Sequence, residues 1–294
     1  MDIEKNLPGI QKNVSLRNHT TFRIGGPAKW FFTAKNKKSL VKAVMTAKKF
    51  KLPFFILGGG SNVLINDKGF SGVVVKNEAR SFKIKKEKVI SESGTILSEL
   101  VAVSVKAGLS GLAEGVGIPG TLGGAVYNNA GWPKGAWAIG DIVEKADLLM
   151  PDGKIKKVGR KWFSFKYRES KLKKMASKKP IILEVVLKLK RDKKSNLKKK
   201  EKEILKTRRE KIPVGFSAGS VFKNPIRESA GFLIEKCGLK GKKIGNVKIS
   251  EKHANFIINS GNGKAKDVEK LINLIKKKVK NKFKINLEEE IRFL

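Results

Sequence analysis

A glycine-rich loop that directly follows a short apolar run constrains the fold of this chain more than any other feature. The run "FFIL" ends at Leu57, and "GGGSN" follows from Gly58 to Asn62. Short apolar runs bounded by glycine are typical of buried strands. Before this strand, "GPAKWFFTA" has a strand pattern and residues 36–50 have apolar side chains at helical spacing. The alternation predicts an α/β unit.

A second glycine-rich loop, "GIPGTLGG", occupies residues 117–124. The segment before it predicts a helix that Thr95 or Ser98 caps and that Gly108 ends. After it, Asp152-Gly153 predicts a β-hairpin, and an apolar strand and a charged linking helix follow. The sequence therefore predicts a second α/β unit.

The pattern changes again after Pro213, where two amphipathic helices alternate with short strands. We predict an α+β fold built from α/β units, with a final strand that returns near the first unit. The predicted boundaries are 1–77, 78–204 and 205–285 for the three units, and 286–294 for the final strand.

Lysine makes the chain strongly basic, with a formal net charge of +39. The lysines are spread over many segments, whereas a nucleic-acid groove usually combines arginine and aromatic side chains on one face. We therefore interpret the charge as a general bias of solvated surfaces, with no specific nucleic-acid partner. It still favours acidic ligands such as nucleotides and phosphosugars. A basic nucleotide- or nucleic-acid-binding protein without catalysis remains an alternative.

Cysteine content and motifs narrow the chemistry. Cys237 is the only cysteine, and no apolar stretch resembles a signal peptide or a membrane span, so the cytoplasm is the expected compartment. His19 and His253 are the only histidines, which leaves a Ser-His-Asp relay thinly supplied. The chain has no metal-ligand spacing, no P-loop and no G-x-G-x-x-G fingerprint. The two glycine loops are what remains.

Glycine lets backbone N–H groups approach an anion closely, and consecutive N–H groups form an anion-binding nest. Ser61, Asn62 and Thr121 add side-chain donors. Tight turns explain either loop taken alone. Two such loops in adjacent units predict a long diphosphate ligand, and a β-branched side chain at Gly123 is expected to block the backbone's approach to it.

The segment "AGSVFKNP" carries a lone hydroxyl at Ser220. Ser220 does not lie in a G-x-S-x-G nucleophile elbow. From the residues alone, its hydroxyl could cap an element, attack a substrate or donate a proton.

Eight motifs together resemble the MurB family of UDP-N-acetylenolpyruvoylglucosamine reductases. In chain order they are "TTFRIGGPA", "LGGGSNVLI", "GLAEGVGIPGTLGGAVYNNAG", "FKYRES", "RREKIP", "AGSVFKNP", "SEKHANFIIN" and "EEIRF". The resemblance implies an FAD-binding region of the vanillyl-alcohol-oxidase (PCMH) type in the first two units and a substrate domain in the third. It implies non-covalent FAD, NADPH as co-substrate, and reduction of UDP-N-acetylglucosamine enolpyruvate to UDP-N-acetylmuramate for peptidoglycan synthesis.

The resemblance also implies three catalytic residues. Ser220 matches the family's proton donor, and Arg168 and Glu290 match the other two catalytic positions. Hydride addition to the enolpyruvyl methylene leaves an enolate beside a carboxylate, which a cation and a carboxyl group stabilise. A positioned hydroxyl then supplies one proton.

Further residues are assigned by the same match. The expected cofactor-binding residues are Leu57, Gly58, Gly59, Gly60, Ser61, Asn62, Gly117, Pro119, Gly120, Thr121, Gly123 and Gly124. The expected substrate-binding residues are Arg208, Lys211, Lys223 and Asn224. An arginine fork and a lysine point charge suit a diphosphate, although Arg208 and Lys211 could equally end an exposed basic helix.

Two departures from the family pattern stand out. Tyr167 is the last tyrosine, so the chain resembles the shorter subtype without the tyrosine-bearing loop. Trp132, Pro133 and Trp137 replace small residues and a tyrosine, which puts flavin contacts of that segment in doubt. We expect a monomer, and an FAD-dependent alcohol oxidase of the same cofactor fold remains a second alternative.

Overall fold

The computed structural model describes residues 3–132, 136–175 and 179–294. The helices in these ranges are α1 (Ile3–Asn6), α2 (Lys37–Lys49), α3 (Leu97–Lys106), α4 (Leu122–Asn128), α5 (Lys171–Lys174), α6 (Lys194–Lys211), α7 (Ala230–Lys236) and α8 (Ala265–Phe283). The strands are β1 (Gln11–Ser15), β2 (Pro27–Ala34), β3 (Phe54–Leu57), β4 (Val63–Leu64), β5 (Phe70–Asn77), β6 (Phe82–Lys85), β7 (Lys88–Glu92), β8 (Leu109–Ser110), β9 (Val143–Leu149), β10 (Ile155–Gly159), β11 (Ile181–Lys188), β12 (Lys190–Arg191), β13 (Lys243–Ile244), β14 (Val247–Ile249), β15 (Ile257–Asn259) and β16 (Arg292–Phe293).

The chain divides into two compact units. Unit 1 comprises Met1–Ile10, Phe32–Gly59 and Val74–Arg208, and unit 2 comprises Gln11–Phe31, Gly60–Val73 and Arg209–Leu294. The boundary predicted at 204/205 falls within α6, close to this division. The boundary predicted at 77/78 has no counterpart at this scale, because unit 1 extends across it. The finer division of the flavin region into two subdomains stays a prediction.

Unit 1 contains a five-stranded sheet in the order β10-β9-β11-β7-β6. The central strand β11 pairs antiparallel with both β7 and β9, and the apolar faces of α3 and α4 contribute to the same core. Gly108, at φ +68°, follows the end of α3 as predicted. The predicted side-chain cap is wrong: the N-cap is Ile96, and the hydroxyl of Thr95 donates instead to the carbonyl of Glu92.

Unit 2 contains a three-stranded sheet in the order β13-β14-β15. The amphipathic helices α7 and α8 bury their apolar faces in its core, as their spacing predicts. The last strand, β16, pairs in parallel with β4, so Arg292 lies opposite Val63. This pairing brings the end of the chain beside residues 63–64, and the assignment of the C-terminal strand to the first predicted unit stays a prediction.

None of the helices in the described ranges combines the length and apolar character that crossing a membrane requires.

Candidate functional site

The two glycine loops touch each other within unit 1, where the first loop contributes Gly58 and Gly59. A Cβ on Gly58 would lie 2.5 Å from Oγ1 of Thr121, and a Cβ on Gly59 would lie 2.6 Å from Cα of Gly120. Contacts this short exclude any side chain larger than hydrogen at both positions. The sequence folds this way because only glycine allows the two backbones to approach so closely.

Some backbone N–H groups of the glycine loops have hydrogen-bond acceptors within the protein, and others do not. Thr121 caps α4 by accepting a hydrogen bond from the N–H of Gly124, and the N–H of Leu122 donates to the carbonyl of Thr95. No residue in the described ranges accepts a hydrogen bond from the N–H of Gly59 or Gly120. Two close backbones with uncommitted donors have the chemistry that an FAD diphosphate requires.

Gly123 has a different local environment from the rest of the loop. Its N–H donates to the carbonyl of Ser93 at 2.8 Å, and a Cβ would lie 2.9 Å from both Cβ and the carbonyl oxygen of Ser93. A side chain at Gly123 therefore collides with the protein's own backbone. This geometry assigns the residue a packing role, and its direct contact with the cofactor stays a prediction.

The first loop continues into unit 2 with Gly60, Ser61 and Asn62. Gly60 has φ +68°, and a Cβ there would lie 2.1 Å from the carbonyl oxygen of His19. The Nδ2 of Asn62 donates to the carbonyl oxygen of Glu290 at 3.2 Å. Asn62 thus connects this end of the loop to a predicted catalytic residue.

Ser220 and Glu290, two of the three predicted catalytic residues, lie on neighbouring extended segments of unit 2. The N–H of Glu290 donates to the carbonyl of Val221 at 2.8 Å. Phe222 forms an isolated antiparallel bridge with Glu289, and Ser220 forms one with Phe256. Both Ser220 and Glu290 are partly buried. No residue in the described ranges makes a hydrogen bond with the Ser220 hydroxyl.

Asn255, in the motif "HANF", fixes the segment that carries Ser220. Its Oδ1 accepts from the N–H of Phe222 at 2.9 Å, and its Nδ2 donates to the carbonyl of the same residue at 2.8 Å. Its own carbonyl accepts from the N–H of Val221. Asn255 is 2 % exposed, so these bonds lie in the core. The sequence analysis includes this motif but does not predict the role of Asn255. A polar asparagine within an apolar strand pattern was the signal that could have indicated it.

Arg168 lies at the turn of a short hairpin in unit 1. Lys166 and Glu169 exchange backbone hydrogen bonds of 3.1 Å, and Arg168 between them has φ +54°. Asn129 and Lys173 anchor the turn by donating to the carbonyls of Lys166 and Arg168. A positive φ is uncommon for a residue with a long side chain and often marks a functional position.

Arg208 is partly buried in unit 1, contrary to the alternative of an exposed helix end. Its Nε lies 2.7 Å from where a Cβ of Gly117 would be, so the glycine makes room for the guanidinium. The guanidinium carbon lies 5.6 Å from the ring centroid of Trp132. Burial lowers the pKa of Arg208 from its ordinary value. Arg208 therefore contacts the second glycine loop.

The tryptophans that depart from the family pattern belong to the packing of unit 1. The indole N–H of Trp132 donates to the carbonyl of Glu114 at 2.7 Å, and that of Trp137 donates to the carbonyl of Gly111 at 2.8 Å. Trp137 is 7 % exposed. Pro133 lies outside the described residues. Both indoles thus stabilise the segment 111–114, which precedes the second glycine loop.

The other predicted substrate-binding residues lie in unit 2. Lys211 is the exposed last residue of α6. The ammonium of Lys223 pairs with Glu288, and the Oδ1 of Asn224 accepts from the N–H of Ala230. Local contacts therefore occupy Lys223 and part of Asn224. No group of three or more metal-ligating side chains occurs among the described residues.

Comparison with known proteins identifies the chain first by class. Residues 28–159 match the FAD binding domain family, and residues 212–294 match the C-terminal domain of UDP-N-acetylenolpyruvoylglucosamine reductase. A glucose oxidase variant of Phl p 4 shares the fold alone, with a TM-score of 0.52 at 15% identity over 65% of this chain and 44% of that one. The fold and site define an FAD-binding oxidoreductase, which confirms the predicted fold class and flavin.

Full-length relatives then give the family. The UDP-N-acetylenolpyruvoylglucosamine reductase of Caldicellulosiruptor bescii is 44% identical over 96% of this chain and 90% of its own length. Reductase 1 of Bacillus cereus is 38% identical over 99% and 97%. The crystal structure of the Thermus caldophilus enzyme, MurB, matches with a TM-score of 0.84 at 33% identity, over 97% of this chain and 99% of that one. The chain belongs to the UDP-N-acetylenolpyruvoylglucosamine reductase family, an FAD- and NADP-dependent enzyme family of peptidoglycan synthesis.

Proposed function

We propose that this chain reduces the enolpyruvyl ether of UDP-N-acetylglucosamine enolpyruvate to the lactyl ether, with NADPH as the source of the hydride. FAD, when bound at the glycine loops, supplies the hydride-transfer chemistry at its N5 atom. The observation that carries the proposal is the pairing of the Ser220 and Glu290 segments in unit 2. The N–H of Glu290 donates to the carbonyl of Val221, so Ser220 and Glu290 lie on adjacent extended segments.

Ser220 is the proton donor in this proposal. The hydride adds to the enolpyruvyl methylene and leaves an enolate, whose carbon next to the carboxylate then takes a proton from the Ser220 hydroxyl. The oxygen of Ser220 regains a proton from water. A serine hydroxyl is a weak acid, so its position matters more than its acidity. The bonds from Asn255 to Phe222 support that positioning.

Glu290 and Arg168 stabilise the developing charge. The enolate lies beside a carboxylate, so a guanidinium and a hydrogen-bonding carboxyl group lower its free energy more than that of the neutral double bond. The hydrogen bonds around Arg168 and Glu290 hold both backbones before substrate binds. Preorganised groups of this kind cost no rearrangement during the reaction.

The uridine diphosphate is held by basic and amide side chains in this proposal. Arg208 offers a planar fork of donors that suits a phosphate, and Lys211 offers a mobile point charge. Lys223 and Asn224 flank the Ser220 segment. In the same proposal, the residues of the two glycine loops named in the sequence analysis bind FAD.

The reaction is tested with the FAD-loaded protein in deuterated water under anaerobic conditions. NADPH is expected to bleach the flavin, and the enolpyruvyl substrate is expected to restore its colour. The product should carry a solvent deuterium on the carbon next to the carboxylate, because the proton delivered there passes through the exchangeable hydroxyl of Ser220. Bleaching by an alcohol, with colour restored by oxygen and not by the enolpyruvyl substrate, would show an oxidase instead.

A further inference from the structure

We propose that Lys76 is a positioning residue for the cofactor: its ammonium group holds the first glycine loop in the conformation that binds FAD. Lys76 lies near the end of β5 in unit 1, and its Nζ donates to the carbonyl oxygen of Gly58 at 2.6 Å. Nothing in the sequence patterns marks this lysine, one of many in the chain. The inference deepens the cofactor site on which the proposed function rests.

Gly58 lies where the two glycine loops touch, so a contact with its backbone affects the conformation of the first loop. It follows β3 directly and lies against Thr121 of the second loop, so closely that a Cβ would come within 2.5 Å of the threonine hydroxyl. A bond to the Gly58 carbonyl fixes that peptide plane. The next residue, Gly59, has an N–H that no described residue accepts, and its direction depends on the orientation of the loop.

The surroundings of Lys76 make the hydrogen bond strong and specific. Lys76 is partly buried, and burial lowers its pKa from the ordinary value, an effect that Glu78 opposes and Arg80 reinforces. A charged donor to a carbonyl forms a hydrogen bond roughly twice as strong as a neutral one. Holding an ammonium in a partly dry place requires such a partner.

The neighbouring residue on β5 performs the matching task for the second loop. Because successive side chains of a strand point to opposite faces, Lys76 and Asn77 reach different parts of the structure. Asn77 donates to Oγ of Ser93 at 2.9 Å, and the carbonyl of Ser93 accepts from the N–H of Gly123 at 2.8 Å. The end of β5 therefore fastens both glycine loops, one through Lys76 and one through Asn77.

The test measures the FAD dissociation constant of the apoprotein for the wild type, Lys76→Met and Lys76→Arg. We expect Lys76→Met to weaken FAD binding by about ten- to a hundredfold, the range for loss of a hydrogen bond to a charged group. Lys76→Arg should restore most of the affinity. Lys48→Met is the matched control, because the ammonium group of Lys48 donates to a backbone carbonyl of the same unit, that of Pro151 at 2.7 Å, and that carbonyl belongs to neither glycine loop. It should bind FAD like the wild type.

A pH profile separates this role from a purely structural one. The charged form of Lys76 favours binding, so FAD affinity should be full below the pKa of Lys76 in the apoprotein and fall as the pH rises through it. Because that pKa is lowered, the fall begins below the range of an ordinary lysine. Lys76→Arg stays charged and should lack this step, and so should Lys76→Met at its lower affinity. The flavin's own titration is common to all three proteins.

Each outcome decides the matter. Equal FAD affinity of the wild type and a folded Lys76→Met variant overturns the inference while leaving the proposed reaction intact. If Lys76→Met does not fold, identical pH profiles of the wild type and Lys76→Arg overturn it instead. If the wild type itself binds no FAD, the proposed function fails as well.

Discussion

The glycine loops of unit 1 and the Ser220 segment of unit 2 are held in position by opposite means. Because Gly58 and Gly59 have no side chains, the backbones of the two glycine loops can touch. The Ser220 segment is fixed by a side chain, since the amide of Asn255 pairs with the backbone of Phe222 as a neighbouring strand would. Added atoms should therefore damage the first region and removed atoms the second.

The largest expected effect is at Ser220. Ser220→Ala should keep its flavin and be bleached by NADPH at nearly the wild-type rate. Its reoxidation by the enolpyruvyl substrate should slow by about two to four orders of magnitude, the usual scale for a positioned general acid. Substrate affinity should change far less, because the lost interaction acts in the transition state. Anaerobic stopped-flow absorbance follows the two half-reactions separately.

Ser217→Ala is the control for this experiment, since Ser217 lies on the same segment and its hydroxyl oxygen accepts a long hydrogen bond of 3.5 Å from the N–H of Gly219. Reoxidation of Ser220→Ala at the wild-type rate would falsify the proton-donor role. A collapse of both half-reactions would show that Ser220 supports the fold or the flavin site.

Asn255→Ala tests the side-chain support of that segment. It leaves a buried N–H and carbonyl of Phe222 without partners, each costing about 1–3 kcal/mol of the free energy of unfolding. Because Ser220 loses its position, reoxidation should also slow. The decisive measurement is the double variant: Asn255→Ala should slow reoxidation little further when Ser220 is already alanine. Additive effects on the rate would mean that Asn255 acts independently of Ser220.

Gly123 and Gly124 are adjacent in α4 and offer a matched pair for the glycine loops. Gly123→Val places branched carbons against Ser93 and should lower the free energy of unfolding by about 1–3 kcal/mol, the range for overpacking. Gly124→Ala should be tolerated, because its Cβ would meet only Oγ1 of Thr121 at 3.5 Å. Chemical denaturation with flavin content as a second readout compares them. Loss of flavin from a Gly123→Val variant of wild-type stability would restore the interpretation of this loop as a cofactor contact alone.

The two regions also differ in how much the sequence reveals. Helices α2 and α8, the hairpin at Asp152-Gly153 and the glycine loops follow from local spacing, because periodicity and turn chemistry are local properties. Ser220 and Glu290 do not, because their meeting depends on the pairing of segments far apart in the chain. Only the resemblance to a family pointed to them.

Contacts of single side chains were the least predictable part. Lysines are abundant throughout the sequence, and no pattern distinguishes Lys76 from a solvated one; its bond to Gly58 depends on how β5 lies beside the loop. Thr95 fits the pattern of a helix cap but its hydroxyl donates to Glu92, since tertiary contacts override a local preference. The burial of Arg208 against Gly117 likewise depends on how α6 packs beside the second glycine loop, which no local sequence pattern encodes.

The smallest expected effect is at Trp132, where this chain departs from its family. Trp132→Ala removes the ring beneath the Arg208 guanidinium, a contact of about 0.5–1 kcal/mol, and an indole hydrogen bond to Glu114. If Arg208 binds a phosphate, freeing it should raise KM for the sugar nucleotide about two- to fivefold, with kcat nearly unchanged. Trp132→Phe keeps an aromatic face, so its KM should fall between those of the wild type and Trp132→Ala. Steady-state kinetics with both variants and Arg208→Lys makes the comparison, because a lysine cannot reproduce the planar fork. An unchanged KM in Trp132→Ala together with a raised KM in Arg208→Lys would show that the arginine binds without the tryptophan's support.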